Sequence, residues 1–138
     1  MSLPPNRSIP AVVVIPVLMY PDVREAAAWL CRAFGFVERL RIVDHRIQLT
    51  FGDGAVVAAE GAKSSAEDRT HSVLVRVADA GAHCDRARQA GAVIVNPPTD
   101  YPFGERQYTA EDLGGHRWTF SPTIADADPA SWGGTLVE

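Results

Sequence analysis

The chain has few cysteines, no cluster of basic residues and no long apolar run, and each absence excludes a class of protein. Cys31 and Cys84 are too few for a disulfide framework, so both are expected to be thiols in a reducing compartment. The net charge of −4 argues against nucleic acid or membrane partners. The apolar run 11–20 is short and contains Pro16, so we expect neither a membrane helix nor a signal peptide, and a cytoplasmic location.

Motifs for phosphate binding and for serine nucleophiles are also missing. No glycine-rich loop precedes a helix, and no serine lies in a Gly-x-Ser-x-Gly elbow. The 138 residues, 46% apolar and 22% charged, suit one folded domain with a substantial core. The composition therefore indicates a globular domain, and no cofactor is predicted.

The most informative positive feature is an internal repeat. The two aspartates that can cap helices, Asp22 and Asp79, are 57 residues apart, and the turns at 52–54 and 113–115 are separated by a similar distance. A repeat of this length predicts two modules that share one core and one cleft.

Each half is predicted to have the order β-α-β-β-β. The first half shows a strand at 11–19, a helix to about residue 33, and strands at 36–43, 46–51 and 55–60. The second half shows a strand at 71–77, a helix ended by Gly91, and strands at 93–96, 105–111 and 116–121, with a loop at 97–104. An apolar stripe on the first helix comprises Val23, Ala26, Leu30 and Phe34.

The rest of the chain divides around these modules. We expect an N-terminal arm at 1–10, a single domain at 11–121 and a C-terminal tail at 122–138. Within the domain, module one covers 11–62 and module two covers 70–121, joined by a polar linker. Trp132 in the tail is expected to dock on this chain or on a partner, since a solvated tryptophan leaves a large apolar surface exposed.

Two stretches carry a resemblance to a known family. Pro16–Phe36 and Tyr101–Phe120, the latter with Asp-Leu-Gly-Gly at its turn and Trp-Thr-Phe after it, resemble the glyoxalase-like branch of the vicinal oxygen chelate superfamily. This superfamily includes glyoxalase I, bleomycin resistance proteins and extradiol dioxygenases. The resemblance implies an α+β fold of two βαβββ modules, a mixed sheet curled around one cleft with helices on its outer face, and a homodimer. A ferredoxin-like sandwich without a cleft is the alternative.

Metal-dependent members of the superfamily hold a divalent ion with two side chains from each module. The resemblance places one seven residues before the capping Asp and another four residues after the hairpin Gly. In this chain, those positions hold Ile15, Ser72, Ala58 and Thr119. None is His, Glu, Asp or Cys, so no metal is predicted. Glu60 lies two residues past Ala58 on the same face, and His71 beside Ser72 would need a bulge, but neither changes the position of Ile15.

Alternation along the strands predicts which side chains line the cleft. If Thr119 points inward, Arg117 and Ser121 do so too, while Trp118 and Phe120 face the helices. Pairing of the hairpin about the Leu113–Gly114 bond adds two more residues on the neighbouring strand. The predicted ligand-binding patch comprises Arg106, Tyr108, Arg117, Thr119 and Ser121.

Arg106 is the preferred ligand contact, because a guanidinium suits a carboxylate or phosphate. It can instead pair on the surface with Glu105 or Glu111, while Tyr108 can be a packed aromatic and Arg117 can reach solvent.

Three residues are weak catalytic candidates. Glu60 and His45 could form an acid–base pair, and Tyr108 could act as an acid. Glu60 and His45 can equally be an exposed strand-end carboxylate and a turn histidine.

Three function classes remain from the sequence. One of them, an interaction module without a ligand, has the least support. The first is a protein of the bleomycin-resistance type that binds a small apolar or anionic molecule in the cleft without chemistry. The alternative is a lyase, isomerase or dioxygenase-like enzyme that works without a metal or with an atypical one.

Overall fold

A computed structural model describes residues 4–65, 67 and 70–137. The first three residues of the predicted arm, parts of the predicted linker and the last residue of the tail lie outside this range. The strands are β1 (Val17–Tyr20), β2 (Val37–Ile42), β3 (Arg46–Phe51), β4 (Gly54–Glu60), β5 (Val73–Val75), β6 (Val93–Asp100), β7 (Arg106–Glu111) and β8 (Arg117–Phe120). The α-helices are α1 (Val23–Phe34) and α2 (Ala80–Gln89).

Both helices begin at the predicted aspartates. Asp22 Oδ1 accepts a hydrogen bond from the backbone N–H of Glu25, and Asp79 Oδ1 accepts one from that of Ala82, both at 3.0 Å. Each side chain satisfies an N–H that has no partner inside the helix. Helix α1 ends at Gly35, whose φ of 87° is the left-handed conformation that glycine adopts without strain.

The strands form two mixed sheets of identical topology. Sheet A has the order β1-β4-β3-β2 and sheet B has the order β5-β8-β7-β6. In each sheet the first strand pairs in parallel with the last, and the other pairs are antiparallel. The βαβββ module is therefore present twice, which confirms the predicted fold.

Each sheet has one face against the helices, here called its helix face, and an opposite face, here called its far face. Alternate residues of every strand point to the two faces. The Phe34 ring lies 5.4 Å from that of Trp118 and 4.8 Å from that of Phe120, measured between centroids. Helix α1 of module one thus packs directly on β8 of module two, and the buried core runs through both modules.

Side chains of each helix bind the C-terminal end of the other. Trp29 Nε1 of α1 donates to the Ala90 carbonyl after α2 at 2.6 Å. Arg86 Nε of α2 donates to the Arg32 carbonyl at 2.8 Å. Carbonyl groups in the last turn of a helix receive no hydrogen bond from within the helix. The bonds from Trp29 and Arg86 satisfy such groups, which would otherwise bind water.

A buried carboxylate joins the hairpin of module two to the first strand of module one. Asp112 is 6% exposed and accepts hydrogen bonds from the Tyr20 hydroxyl (2.5 Å) and from Trp118 Nε1 (3.0 Å). The backbone N–H groups of Gly114 and His116 donate to its other oxygen at 2.9 and 3.0 Å. Burial and the neighbouring Asp112 charge raise the pKa of Tyr20, so its hydroxyl stays a donor at neutral pH.

Three predicted strands have the wrong bounds. The strand predicted at 71–77 covers only Val73–Val75. The strand predicted at 11–19 covers only Val17–Tyr20, and Pro16, which has no N–H to donate, precedes it. Strand β6 runs on to Asp100, through the prolines predicted to form a loop. β6 is an edge strand, and a proline is tolerated there when its missing N–H would face solvent and not a neighbouring strand.

The second hairpin has a three-residue loop, whereas the sequence predicted pairing about the Leu113–Gly114 bond. The Asp112 N–H donates to the His116 carbonyl at 2.9 Å, and Gly115 has φ 82°. A three-residue loop that ends in a left-handed glycine is common in hairpins. The register of β7 against β8 is therefore displaced by one residue from the prediction.

Candidate functional site

Two members of the predicted ligand patch share one surface. Arg117 and Thr119 lie on the far face of sheet B, as predicted, while Trp118 and Phe120 are buried on the helix face. Thr119 Oγ1 lies 3.0 Å from Thr109 Oγ1, and Arg117 Nε donates to Glu111 Oε1 at 3.3 Å.

Ser121 is buried beside this surface. Its hydroxyl donates to Glu105 Oε1 at 2.8 Å and accepts from Gln107 Nε2 at 3.0 Å. Hydrogen bonds from Thr123 and Ser121, together with the charge of Arg76, hold the pKa of Glu105 below its usual range. None of Arg117, Thr119 and Ser121 belongs to the lining of the cleft between the modules, and ligand contact by them stays a prediction.

Tyr108 is not on that surface. The three-residue loop places it opposite Phe120 on the helix face, where it is fully buried. Because a displacement by one residue reverses the face of every side chain, the predicted position of Tyr108 on the cleft side of the sheet is wrong. Its hydroxyl is hydrogen-bonded to His83 Nδ1, and the other imidazole nitrogen lies 2.9 Å from the Phe34 carbonyl.

These two bonds fix the state of His83. Since a carbonyl can only accept, Nε2 carries the proton and Nδ1 accepts from the Tyr108 hydroxyl. Burial is the main cause that lowers the pKa of His83, so the imidazole is neutral at neutral pH. The pair joins α2, β7 and the end of α1, and its polar atoms are satisfied within the core.

Arg106 was the preferred ligand contact, and the structure pairs it within its own chain. Its Nε and Nη2 donate to the two oxygens of Asp100 at 2.6 and 3.1 Å across the β6–β7 pair. Hydrogen bonding by Arg106 holds the pKa of Asp100 below its usual range. The guanidinium fork is thus occupied, by an aspartate that was not among the predicted partners. On the side of β8 the Arg106 N–H donates to the Pro122 carbonyl at 3.1 Å, so Arg106 is not opposite Ser121 and leaves the predicted patch.

The four positions implied for a metal do not fit a divalent ion. The turn of the first hairpin is one residue shorter than that of the second, since Phe51 pairs directly with Gly54. Ala58 consequently lies in the core on the helix face, and Val57 takes the position equivalent to Thr119. Valine cannot ligate either. The described residues hold no group of three or more His, Cys, Asp or Glu side chains placed for one ion.

The remaining sequence candidates lie at strand ends. Ile15 and Ser72 precede β1 and β5. The Glu60 N–H donates to the His45 carbonyl at 3.0 Å, so this predicted acid–base pair is adjacent, at an exposed end of sheet A. Neither residue belongs to the lining of the cleft between the modules. Catalysis by Glu60, His45 or Tyr108 therefore gains no geometric support.

A cleft of about 430 Å³ lies in the seam between the modules, a volume typical of small-molecule sites. Its walls come from the β3–β4 hairpin, the segment before β1, and the edge strand β5. The side chains of the walls are mostly apolar. They are Val14, Pro16, Phe36, Phe51, Ala55, Val56, Val73, Leu74 and Val75, with the turn Gly52–Gly54 and Arg76 completing the lining.

Two charged side chains line this cleft. Asp53 lies at the hairpin turn and Arg76 follows β5, and these are the ionisable members of the lining. Arg76 Nη2 donates to Thr123 Oγ1 at 2.6 Å, which holds the guanidinium at the mouth. The lining contains no His, Cys, Tyr, Ser or Lys side chain. It therefore offers an apolar chamber with a cation at its mouth and no nucleophile.

The sequence did not single out Phe51, Leu74 or Arg76. Phe51 directly precedes the Gly52-Asp53-Gly54 turn. A large aromatic residue beside a glycine-rich turn is a signal that could have indicated Phe51 as a cleft residue. Leu74 and Arg76 alternate with Val73 and Val75 on a strand whose pattern was clear. What was missing was knowledge that β5 is an edge strand next to module one.

Comparisons with known proteins agree on one family. The model of the Glyoxalase/Bleomycin resistance protein/Dioxygenase superfamily matches residues 11–120. TioX from Micromonospora sp. ML1 is 34% identical, with a TM-score of 0.68 over 80% of this chain and 97% of that one.

More distant structures share the fold. A glyoxalase/bleomycin resistance protein/dioxygenase family enzyme from Burkholderia phytofirmans PsJN is 14% identical, with a TM-score of 0.70 over 83% of this chain and all of that one. The fosfomycin resistance protein FosX from Listeria monocytogenes is 14% identical, with a TM-score of 0.67 over 81% of this chain and 93% of that one. No curated protein matches the chain. Among the described residues, no helix is both long and apolar enough to cross a membrane.

Proposed function

The chain belongs to the glyoxalase/bleomycin resistance protein/dioxygenase superfamily, and we propose that it binds a small, mainly apolar molecule in the cleft between its modules without transforming it. The observation that carries this proposal is the lining of the 430 Å³ cleft. Burial of an apolar ligand against valine and phenylalanine walls gains about 25 cal/mol for each Å² removed from water.

Arg76 sets the second property of the ligand. A guanidinium at the mouth favours a ligand whose anionic or polar end stays near solvent while its apolar part enters the chamber. Asp53 shares the mouth and disfavours a second anionic group close to the turn. We therefore propose an apolar body with one anionic or polar end.

The absence of chemistry is proposed from the same lining. General acid–base catalysis needs a group that can exchange a proton within hydrogen-bond reach of the reacting atom. Among the side chains that line the cleft, Asp53 is the one carboxylate, and it lies at the hairpin turn. The candidate pair of Glu60 and His45 is outside the lining, and Tyr108 is committed to His83.

The experiment is a fluorescence titration with 8-anilinonaphthalene-1-sulfonate, an apolar anion that brightens when water is excluded. Leu74→Trp should fill the mouth and weaken binding at least about tenfold. Val93→Trp is the matched control, because Val93 is 60% and Leu74 61% exposed, and Val93 lies on the other edge strand of sheet B. Equal effects of the two substitutions would contradict the assignment of the site.

Arg76 is tested in the same titration. Arg76→Gln should weaken binding of the sulfonate about threefold to tenfold, as expected for loss of one charge-assisted contact. Arg88→Gln, on the exposed surface of α2, is the control and should leave binding unchanged. Mass spectrometry of any bound compound after incubation checks the absence of chemistry, since a new product would favour the enzyme alternative.

We also propose that the chain is a homodimer, as the resemblance implies. Val13 and Val14 are 67% and 76% exposed beside the cleft, a cluster of apolar surface that a second copy would cover. Light scattering coupled to size-exclusion chromatography measures the mass directly. A monomer at all concentrations would contradict this proposal without affecting the cleft.

A further inference from the structure

A second cavity lies next to the cleft, on the side of the seam that carries the helices. Its volume is about 300 Å³, and its walls come from the end of α1, the end of β3, the segment 77–79 and one side of α2. On module two, the cleft itself is lined by residues 73–76. The two cavities therefore follow one continuous stretch of module two, from residue 73 to residue 79.

The side chain of Phe51 stands between the two cavities. Among the described residues, Phe51 is the one that lines both. It is the last residue of β3 and lies on the helix face, where its ring is 5.4 Å from the Phe36 ring between centroids. On the side of the second cavity, a Cβ added to Gly35 would lie 3.5 Å from Cε2 of the Phe51 ring. The ring thus forms a partition, with the cleft on one side and the second cavity on the other.

The surroundings of Phe51 allow this partition to open. Phe51 is only partly buried, and Gly52 follows it with φ 56° in a turn where an added Cβ would meet no atom within 4 Å. Displacement of the ring would cost its aromatic contact with Phe36, while the backbone pairing of Phe51 with Gly54 can remain. The partition is therefore closed by one side chain and not by the fold.

The second cavity can accept an apolar chain without disturbing the protein's own hydrogen bonds. Asp79 Oδ1 already accepts from the backbone at the start of α2, and both nitrogens of His83 have partners. Nε and Nη2 of Arg86 donate to two carbonyls at the end of α1, at 2.8 and 3.0 Å. The other wall residues are Phe34, Gly35, Phe51, Val77, Ala78 and Ala82.

We propose that the second cavity is an inner compartment of the cleft and that Phe51 determines the length of ligand that the protein prefers. A short apolar ligand binds in the cleft with Phe51 in place. A longer linear chain has to displace the Phe51 ring before it can enter the inner compartment. This inference rests on the proposed function, because it concerns a ligand of the same cleft.

The test measures how affinity depends on chain length. A series of linear alkanesulfonates, from butanesulfonate to dodecanesulfonate below their micelle concentrations, is titrated against bound 8-anilinonaphthalene-1-sulfonate. Each added CH₂ should tighten binding by up to about fourfold while the chain grows within the cleft, and by less than about 1.5-fold once the chain has to displace Phe51. The wild-type chain should therefore show a break in this dependence. In Phe51→Ala the gain should continue beyond the length at which the wild-type break occurs.

Two further variants separate the partition from a general change in the surface. Phe103→Ala is the matched control, because Phe103 is also partly buried, stacks on Tyr101 and lines neither cavity, and it should keep the wild-type break. Ala82→Leu, added to Phe51→Ala, fills the inner compartment from the exposed side of α2 and should restore the break. If Phe51→Ala lacks cooperative thermal unfolding, Phe51→Leu takes its place and should move the break to longer chains.

The proposal and the proposed function fail in different ways. A wild-type chain without a break, an unchanged break in the Phe51 variant, or an equal change in Phe103→Ala would overturn the role of Phe51. A gain that persists when Ala82→Leu is added would show that the chain does not enter the second cavity, which overturns the proposal too. If no alkanesulfonate displaces the dye, or if Leu74→Trp and Val93→Trp have equal effects on its binding, the proposed function fails and this inference falls with it.

Discussion

Removal of the Tyr20 hydroxyl should destabilise the whole chain, since this group joins the two modules. Tyr20→Phe deletes the 2.5 Å hydrogen bond to the buried Asp112 carboxylate and leaves the ring, which is 1% exposed, in place. Asp112 keeps three donors, from Trp118, Gly114 and His116. A hydrogen bond to a charged group contributes about 1.5–3 kcal/mol, so the free energy of unfolding should fall by that amount.

Urea denaturation followed by circular dichroism measures this loss at pH 7. At roughly 3 °C or more per kcal/mol for a domain of this size, the midpoint of thermal unfolding should fall by about 5–10 °C. Tyr101→Phe is the control, because its hydroxyl has an Asn96 amide partner at 3.2 Å and no charge, and it should cost less than about 1 kcal/mol. A loss below about 0.5 kcal/mol for Tyr20→Phe, which is within the error of the measurement, would refute the argument that Asp112 joins the modules.

Three further predictions concern pH, packing and metal. Burial lowers the pKa of His83, so the unfolded chain takes up a proton at higher pH than the folded chain does. The free energy of unfolding should therefore fall as the pH drops below about 6.5. When unfolding is measured from pH 8 to 5, this fall should disappear in His83→Asn. Gly114→Ala should lower the free energy of unfolding, measured in urea, by more than about 2 kcal/mol, because its Cβ would lie 2.6 Å from the Tyr20 ring. Gly81→Ala in α2 is the control, since its Cβ meets no atom closer than 3.5 Å, and it should raise the free energy of unfolding by about 0.5–1 kcal/mol. Elemental analysis of protein purified without chelator should find well below one divalent ion per chain, and a stoichiometric ion would contradict the reasoning from the four family positions.

Local chemistry was enough to predict the helices and the module order. Asp22 and Asp79 cap their helices, Gly35 ends the first, and the predicted apolar stripe is buried. These capping interactions involve residues within about four positions of each other, so they can be predicted without knowledge of the tertiary structure.

The predicted site failed where a single residue changed the register. The loop at Gly115 has three residues where the predicted strands left four, which turns Tyr108 into the core. The loop at Gly52 has two residues where three were predicted, which exchanges Ala58 for Val57. Sequence patterns do not fix loop length to one residue, although strand faces depend on it. Side-chain pairs that depend on where a strand ends could not be predicted either. Arg106 meets Asp100 because β6 continues to Asp100, in a stretch that was predicted to be a loop.

The central claim is that a small apolar molecule binds between the modules, and methyl NMR tests it most directly. Titration of 8-anilinonaphthalene-1-sulfonate into protein labelled at valine and leucine methyl groups should shift the signals of Val56, Val73 and Leu74, which line the cleft. Val93 and Val43, which are exposed and outside the lining, should not shift. Shifts confined to Val93 or Val43, or spread evenly over the protein, would contradict a binding site in the cleft.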